Sequence, residues 1–161
     1  MIKWGILTAI VIILLDQVSK YYVLTFLAAN NDQPIELLPF FRIVLVYNQG
    51  VSFGMFNGIE YGRYILTAVS ALITLILIYW LFTTQEKPLI LALCLIIGGA
   101  IGNMIDRVRQ GAVTDFIDVF VGTYHWPAFN IADSAIFIGV ACLCFEQLWC
   151  HRKDKLHAKT L

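Results

Sequence analysis

RYILTAVSALITLILIYWLFTTQEKPLILALCLIIGGAIGNMIDR, residues 63–107, holds two long stretches without a formal charge: none lies between Arg63 and Glu86, and none between Lys87 and Asp106. About 20 mostly apolar residues suffice for an α-helix to cross the hydrocarbon core of a bilayer. The stretch therefore predicts two spans, near 62–82 and 88–106. The connection TTQEKP is short, which makes them an antiparallel hairpin. Pro88 suits the first turn of the second helix, where a missing N–H costs no helical bond.

Working outward, a first span lies near 4–27, interrupted by Asp16 and Lys20, and a last one near 131–150, interrupted by Asp133 and, close to its far end, Glu146. Hydrophobic residues make up 60% of the chain and charged ones 14%, against about 45–50% and about 25% in soluble domains. The 161 residues match one domain, read as a single integral membrane domain over 1–161, with outer segments 28–61 and 107–130 and a tail 151–161. The N-terminal MIKWGILTAIVIILLDQ has Lys3 and an apolar core, but Asp16-Gln17 stands where a signal peptide would carry small residues; this is a retained first helix. Zero net charge suggests neither a nucleic-acid partner nor an electrostatic anchor. Cys94, Cys142, Cys144 and Cys150 lie in apolar runs with no CxxC pair, as small packing residues do.

Four spans put both termini on one side. Lys3, Lys87, Arg152, Lys153, Lys155 and Lys159 fall on that side, and Lys20, Arg42, Arg63, Arg107 and Arg109 on the other, a balance that does not decide orientation. The cluster HRKDK directly after the last span is the better signal and assigns the tail to the cytoplasm. Asp16, Asp32, Glu36, Glu60, Asp106, Asp115, Asp118 and Asp133 then gather in the outer half or outside. Segment 28–61 is β-rich, with Asn48-Gln49-Gly50 as a turn signal, and predicts a short hairpin or small sheet near the membrane surface. In 107–129, Tyr124 and Trp126 suit the interface.

Acids inside a span are expensive and call for a reason. Asp16 and Lys20 are four apart on one helix face and can pair, either to fix helix packing or to serve a site. Gly98 and Gly102 form a GxxxG pair suited to close helix approach. Asn103 and Arg107 share a face beside Asp106, where they can hold a substrate backbone, orient a carboxylate or simply finish a solvated helix end. Asp115 and Asp118 share a face on a helix but not on a strand. Asn130 is a good N-cap, which makes Asp133 the third helical residue, where an acid favours the helix dipole by about 0.3–1 kcal/mol. Cap and catalyst are both open for Asp133. If 107–129 folds back on the membrane, Asp115 reaches it, and two close carboxylates have split pKa values, the basis of aspartic protease chemistry. Ser134 and His125 lie on the same side, but a serine mechanism needs an orienting geometry. One outer His without HExxH spacing argues against a metal site, and no cofactor is expected.

Five blocks in order carry a resemblance: DQVSK at 16–20, VYNQGVSFG at 46–54, GGAIGNMIDR at 98–107, GAVTDFIDV at 111–119 and FNIADS at 129–134. Together they make the chain closely similar to lipoprotein signal peptidase, or signal peptidase II, of the bacterial cytoplasmic (inner) membrane. The resemblance implies an all-α integral membrane protein of four transmembrane helices, with a small extracytoplasmic β-cradle over 28–61 and a short extracytoplasmic helix within 107–129. It implies an aspartyl endopeptidase at the outer face that removes the signal peptide from a diacylglyceryl-modified prolipoprotein, cutting just before the lipidated cysteine. Asp115 and Asp133 match the catalytic pair. Asp16, Lys20, Asn48, Gly50, Asn103, Asp106, Arg107, Asn130 and Ala132 match positions expected to bind substrate or support the site. Partners are then the lipidated substrate and membrane lipid, with the enzyme a monomer. Val51 and Ser52 replace the two alanines many members carry after the Asn-x-Gly glycine, which bears on substrate range. A proton-coupled carrier and a lipid- or subunit-binding membrane protein are the rival classes. A carrier would place acids near the midplane, whereas these mass at one end.

Overall fold

Helix α3, Lys87–Gln110, is delimited by the residues that flank it. Glu86 caps it in an extended conformation, a proline stands in its first turn, and Gly111 ends it in the left-handed region at φ 81°, its N–H bonded to the Arg107 carbonyl at 3.0 Å. Arg107 and Arg109 in the last turn complement the negative end of the helix dipole. The computed structural model describes residues 2–50 and 62–157; Val51 and Ser52 lie outside them. Around α3 stand α1 (Ile2–Ala29), α2 (Gly62–Thr83) and α4 (Ile131–His157).

Small residues let α3 approach two neighbours at once. A Cβ on Gly98 would sit 2.9 Å from the Ala9 carbonyl of α1. On the other side a Cβ on Gly99 would collide with the Ala132 carbonyl, and one on Gly139 of α4 would lie 2.8 Å from the Ala92 carbonyl. The GxxxG pair is thus only half of the packing device, since Gly99 and Gly139 serve the α4 contact. Ala9, Leu81, Ile90, Leu93, Cys94 and Ile97 form the apolar core between α1, α2 and α3.

The outer surfaces of α1, α2 and α4 are apolar as well: Trp4, Leu14, Leu72, Leu75, Tyr79, Phe82 and Phe137 are exposed. In water such a surface would drive aggregation; facing lipid it is the stable arrangement. Among the described residues, three helices (Ile2–Ala29, Tyr64–Thr83 and Lys87–Gln110) are long and apolar enough to cross a membrane.

A four-stranded antiparallel sheet in the order β1-β2-β3-β4 comprises β1 (Ile35–Leu38), β2 (Phe41–Asn48), β3 (Val113–Val121) and β4 (Tyr124–His125). β1 and β2 are the hairpin expected in 28–61. β3 corrects an expectation: the short extracytoplasmic helix assigned to 107–129 is a nine-residue strand, and the all-α description leaves this sheet out. Val-Thr-Asp-Phe-Ile-Asp-Val-Phe is rich in β-branched and aromatic residues, and β2 offers it a partner edge, pairing Asn48 with Val113, Val46 with Asp115 and Arg42 with Asp118.

Candidate active site

Strand geometry separates the two acids of β3. Successive side chains alternate faces, so Asp115 and Asp118, three apart, point to opposite sides. Asp118 faces away from the helices into an ion cluster, with Arg42 Nε at 2.5 Å and His125 Nδ1 at 3.0 Å. Arg42 lies over the Phe120 ring and His125 stacks on it. Burial alone would raise the Asp118 pKa, but the His125 and Arg42 hydrogen bonds outweigh it and hold the carboxyl below its usual range.

Asp115 faces the helix ends. Its Oδ2 accepts from Asn48 Nδ2 at 2.9 Å and its Oδ1 from Asn130 Nδ2 at 2.7 Å. Asn48 reaches it because it pairs with Val113, the same-face neighbour of Asp115, and the two are diagonal across the ladder. The Asn48 side chain also turns the chain, its Oδ1 accepting the N–H of Gly50, which sits at φ 80°.

Asp133 stands one turn into α4. The Asn130 side chain caps the helix by accepting the Asp133 N–H at 2.9 Å, and Asp133 Oδ2 accepts the Asn130 N–H at 3.2 Å. This is a reciprocal capping box. The other Asp133 oxygen accepts from Asn103 Nδ2 at 2.7 Å. Asn130 therefore touches both acids, and burial first, then the charge of Asp133, pushes Asp115 up to about 6.

Behind the two acids lies a buried charged cluster. Lys20 Nζ is 2.8 Å from Asp16 and 2.7 Å from Asp106, and donates to Asn103 Oδ1 at 3.2 Å. Asp16 Oδ1 accepts the Ala132 N–H at 3.0 Å, satisfying a free donor at the start of α4. Of the residues singled out in the sequence, the hydrogen-bonded set gathers Asp16, Lys20, Asn48, Asn103, Asp106, Asn130, Ala132, Asp115 and Asp133. Gly50 and Arg107 lie at its edge: Arg107 Nε is buried without a hydrogen-bond partner among the described residues, and its guanidinium comes within 4.0 Å of where a Gly50 Cβ would be. The rival pair Ser134 and His125 is not assembled, since Ser134 Oγ donates to the Asn130 carbonyl and His125 binds Asp118.

Sequence reasoning passed over three residues. Gln17 Nε2 bridges Asp16, Asp106 and the Gly102 carbonyl at 3.1, 3.0 and 3.2 Å. Thr114, fully buried, donates its N–H to Asp106 at 3.1 Å, while its carbonyl takes Asn130 Nδ2 at 3.3 Å. Gln110 Nε2 in turn holds the Thr114 hydroxyl at 2.6 Å. Adjacency to Asp16 and Asp115 was the only signal available for Gln17 and Thr114.

Two clefts open on the acids from either side of residues 126–129. One, of about 500 Å³, is lined by Trp126, Phe129, Asp133, Ser134, Phe137 and Ile138 and is almost wholly apolar. The other, of about 360 Å³, is more polar and reaches Asp115 and Asn48 past Pro127 and Ala128. Among the described residues no group of three His, Cys, Asp or Glu side chains is arranged to hold a metal ion.

The model of the family described as Signal peptidase (SPase) II matches residues 8–149. The chain belongs to this family. It is 39% identical over 154 residues to the lipoprotein signal peptidase of Anaplasma phagocytophilum (strain HZ), covering 96% of each. It is 44% identical over 144 residues to that of Coxiella burnetii (strain RSA 493 / Nine Mile phase I), covering 87% of this chain and 86% of the relative. A bacterial membrane enzyme solved in meso at 1.9 Å resolution has the same fold, with a TM-score of 0.75 and 33% identity over 92% of this chain and 94% of that one. As a signal peptidase II, the chain is a peptidase of the aspartic class.

Proposed function

We propose that Asp115 and Asp133 are the catalytic pair with which this signal peptidase II removes the signal peptide from a diacylglyceryl-modified prolipoprotein, cutting on the N-terminal side of the lipidated cysteine. The observation that carries the reading is the shared ligand: Asn130 donates to both carboxylates, from its side-chain amide to Asp115 on a strand and from its backbone N–H to Asp133 at a helix end, with a cleft opening on each.

The roles follow from the surroundings. Asp133 sits at a helix N-terminus, accepts from the Asn103 amide and the Asn130 N–H, and is assigned the role of base. Asp115, raised to about 6, carries the proton of the pair. Asp133 takes a proton from water as the water oxygen bonds to the scissile carbonyl carbon, and Asp115 gives its proton to the carbonyl oxygen. In collapse, Asp133 passes its proton to the leaving amine, the C–N bond breaks, and Asp115 recovers a proton from the gem-diol. No covalent intermediate forms. Low dielectric near the membrane strengthens the donors that hold the tetrahedral intermediate.

Four spans, α1 to α4, with both termini cytoplasmic and the acids at the outer face of the bacterial inner membrane, agree with this chemistry. A lipid-anchored substrate offers its scissile bond at that boundary. The HRKDK cluster after the last span supports the orientation, and one copy of the chain supplies every group the mechanism uses. The test is cleavage of a diacylglyceryl-modified prolipoprotein in detergent by wild type, Asp115→Asn and Asp133→Asn. Both variants should bind and fail to cut, and full activity in either sinks the pair.

A further inference from the structure

The ammonium of Lys20 has three protons and three oxygen neighbours: Asp16 Oδ2 at 2.8 Å, Asp106 Oδ2 at 2.7 Å and Asn103 Oδ1 at 3.2 Å. It is 3% exposed. An ammonium donates and never accepts, so the Asn103 amide must turn its oxygen toward Lys20. Its NH2 group then faces Asp133, 2.7 Å away. The same Asn103 oxygen accepts from Asn130 Nδ2 at 3.2 Å, so Asn130 also presents its NH2 inward, where it reaches Asp115 at 2.7 Å. The Asn130 oxygen is left for the Asp133 N–H at 2.9 Å.

We infer that Lys20 is a positioning residue that sets the direction of both asparagine amides and so presents an N–H donor to each carboxylate of the catalytic pair. The inference rests on the reading of Asp115 and Asp133 given above. A neutral amide at position 20 could accept as well as donate, and either orientation of Asn103 would then be satisfied. Reversal would turn a carbonyl oxygen toward Asp133 and leave its Oδ1 without the Asn103 donor. The charged groups around Lys20 are Asp16 on its own helix, Asp106 and Arg109 on α3, Asp115 on β3 and, through Asn103, Asp133 on α4. Asp16 and Asp106 give the Lys20 side chain ion-pair partners within an apolar span. The buried triad thus acts on the site besides joining α1 to α3. Gln17, bonded to both acids, holds them in place.

The test measures kcat and KM for cleavage of a synthetic diacylglyceryl-modified prolipopeptide in detergent, with thermal melts as the folding control. The variants are Lys20→Met/Asp106→Asn, which removes the ammonium together with one carboxylate, Lys20→Arg and Asp133→Asn. The double variant should keep KM within about threefold and lose kcat by at least about 30-fold. Lys20→Arg, also donor-only, should lose less kcat than the double variant. A double variant with wild-type kcat overturns the inference. Should that variant not fold, Asn103→Asp decides with Lys20 intact, because it replaces the donor face by an acceptor of the same shape. Loss of kcat supports the inference and unchanged activity overturns it. An active Asp133→Asn would remove the catalytic-pair reading itself, whereas an inactive one beside a normal double variant removes only the role of Lys20.

Discussion

Asn130 and Asp133 complete each other's backbone: the asparagine oxygen accepts the Asp133 N–H at 2.9 Å, and the aspartate oxygen accepts the Asn130 N–H at 3.2 Å. Cap and catalyst, alternatives in the sequence, are compatible in one residue. The bonds that start α4 also fix the rotamer of the acid that the proposed mechanism uses as base. A capping interaction is worth about 0.5–2 kcal/mol of stability. Here it also removes the freedom of a carboxylate that must meet a water at one angle.

Removing either acid of the pair should lower cleavage of a diacylglyceryl-modified prolipoprotein by at least about 10³-fold, within the range for loss of a general acid or base. Asp118→Asn should retain activity within about tenfold of wild type, because Asp118 lies on the other face of β3, bound to Arg42 and His125. Rates from single-turnover assays check both. A dead Asp118→Asn beside an active Asp115→Asn would reassign the acid.

The pH dependence of kcat/KM reports the free enzyme. With Asp115 raised to about 6 and needed in its protonated form, kcat/KM should fall as pH rises through about 6. Asn48→Ala removes a donor to the ionised form, so the falling limb should move to higher pH. A limb that stays in place in that variant contradicts the assignment.

Stability should show the same group. The carboxyl of Asp115 has a pKa raised from 3.8 to about 6 on folding, so the folded state binds its proton more tightly than the unfolded chain. Its contribution is fully favourable below about pH 4, is lost as pH rises through about 6, and is a constant cost above that, up to about 3 kcal/mol. Asp115→Asn should therefore melt above wild type at pH 8, with the difference shrinking towards pH 4. Thermal melts in detergent at the two pH values read this directly.

Packing around α3 predicts a steric failure. A Cβ on Gly102 would stand 2.7 Å from Asp16 Oδ2 and 3.4 Å from the Ala132 Cβ. Gly102→Ala should cost about 1–3 kcal/mol, the usual range for overpacking, and should lower activity by displacing Asp16 from the α4 terminus. A melt and a cleavage assay on the same sample check it; an unperturbed rate would mean that Asp16 yields without disturbing Ala132.

The α2–α3 hairpin was readable because a charge-free run of that length has one stable place, and Pro88 marks where the second helix begins. The start of α4 was readable too, because Asn130 and Asp133 carry the capping spacing locally. Strand β3 was not. VTDFIDVF suits a helix or a strand, and what decides between them is β2, paired as Arg42 with Asp118, 76 residues away in sequence. Gln17 and Thr114 were invisible for the same reason, since Gln17 draws its meaning from Gly102 and Asp106, 85 and 89 residues away. The ordered motifs named the two acids proposed as catalytic and the asparagines bonded to them; Gln17, Gln110 and Thr114 needed the tertiary contacts.

The bond from the Ala132 N–H to Asp16 joins residues 116 apart, linking the first helix to the last. Asp16 and Lys20, four apart on α1, can pair as soon as that helix forms, but the Ala132 N–H gains its Asp16 acceptor only when α4 docks beside α1. A chain caught part-way through insertion therefore holds only fragments of the site. On the proposed pairing of Asp115 with Asp133, assembly itself is the safety catch: peptide bonds can be cut only once α4 has docked against α1.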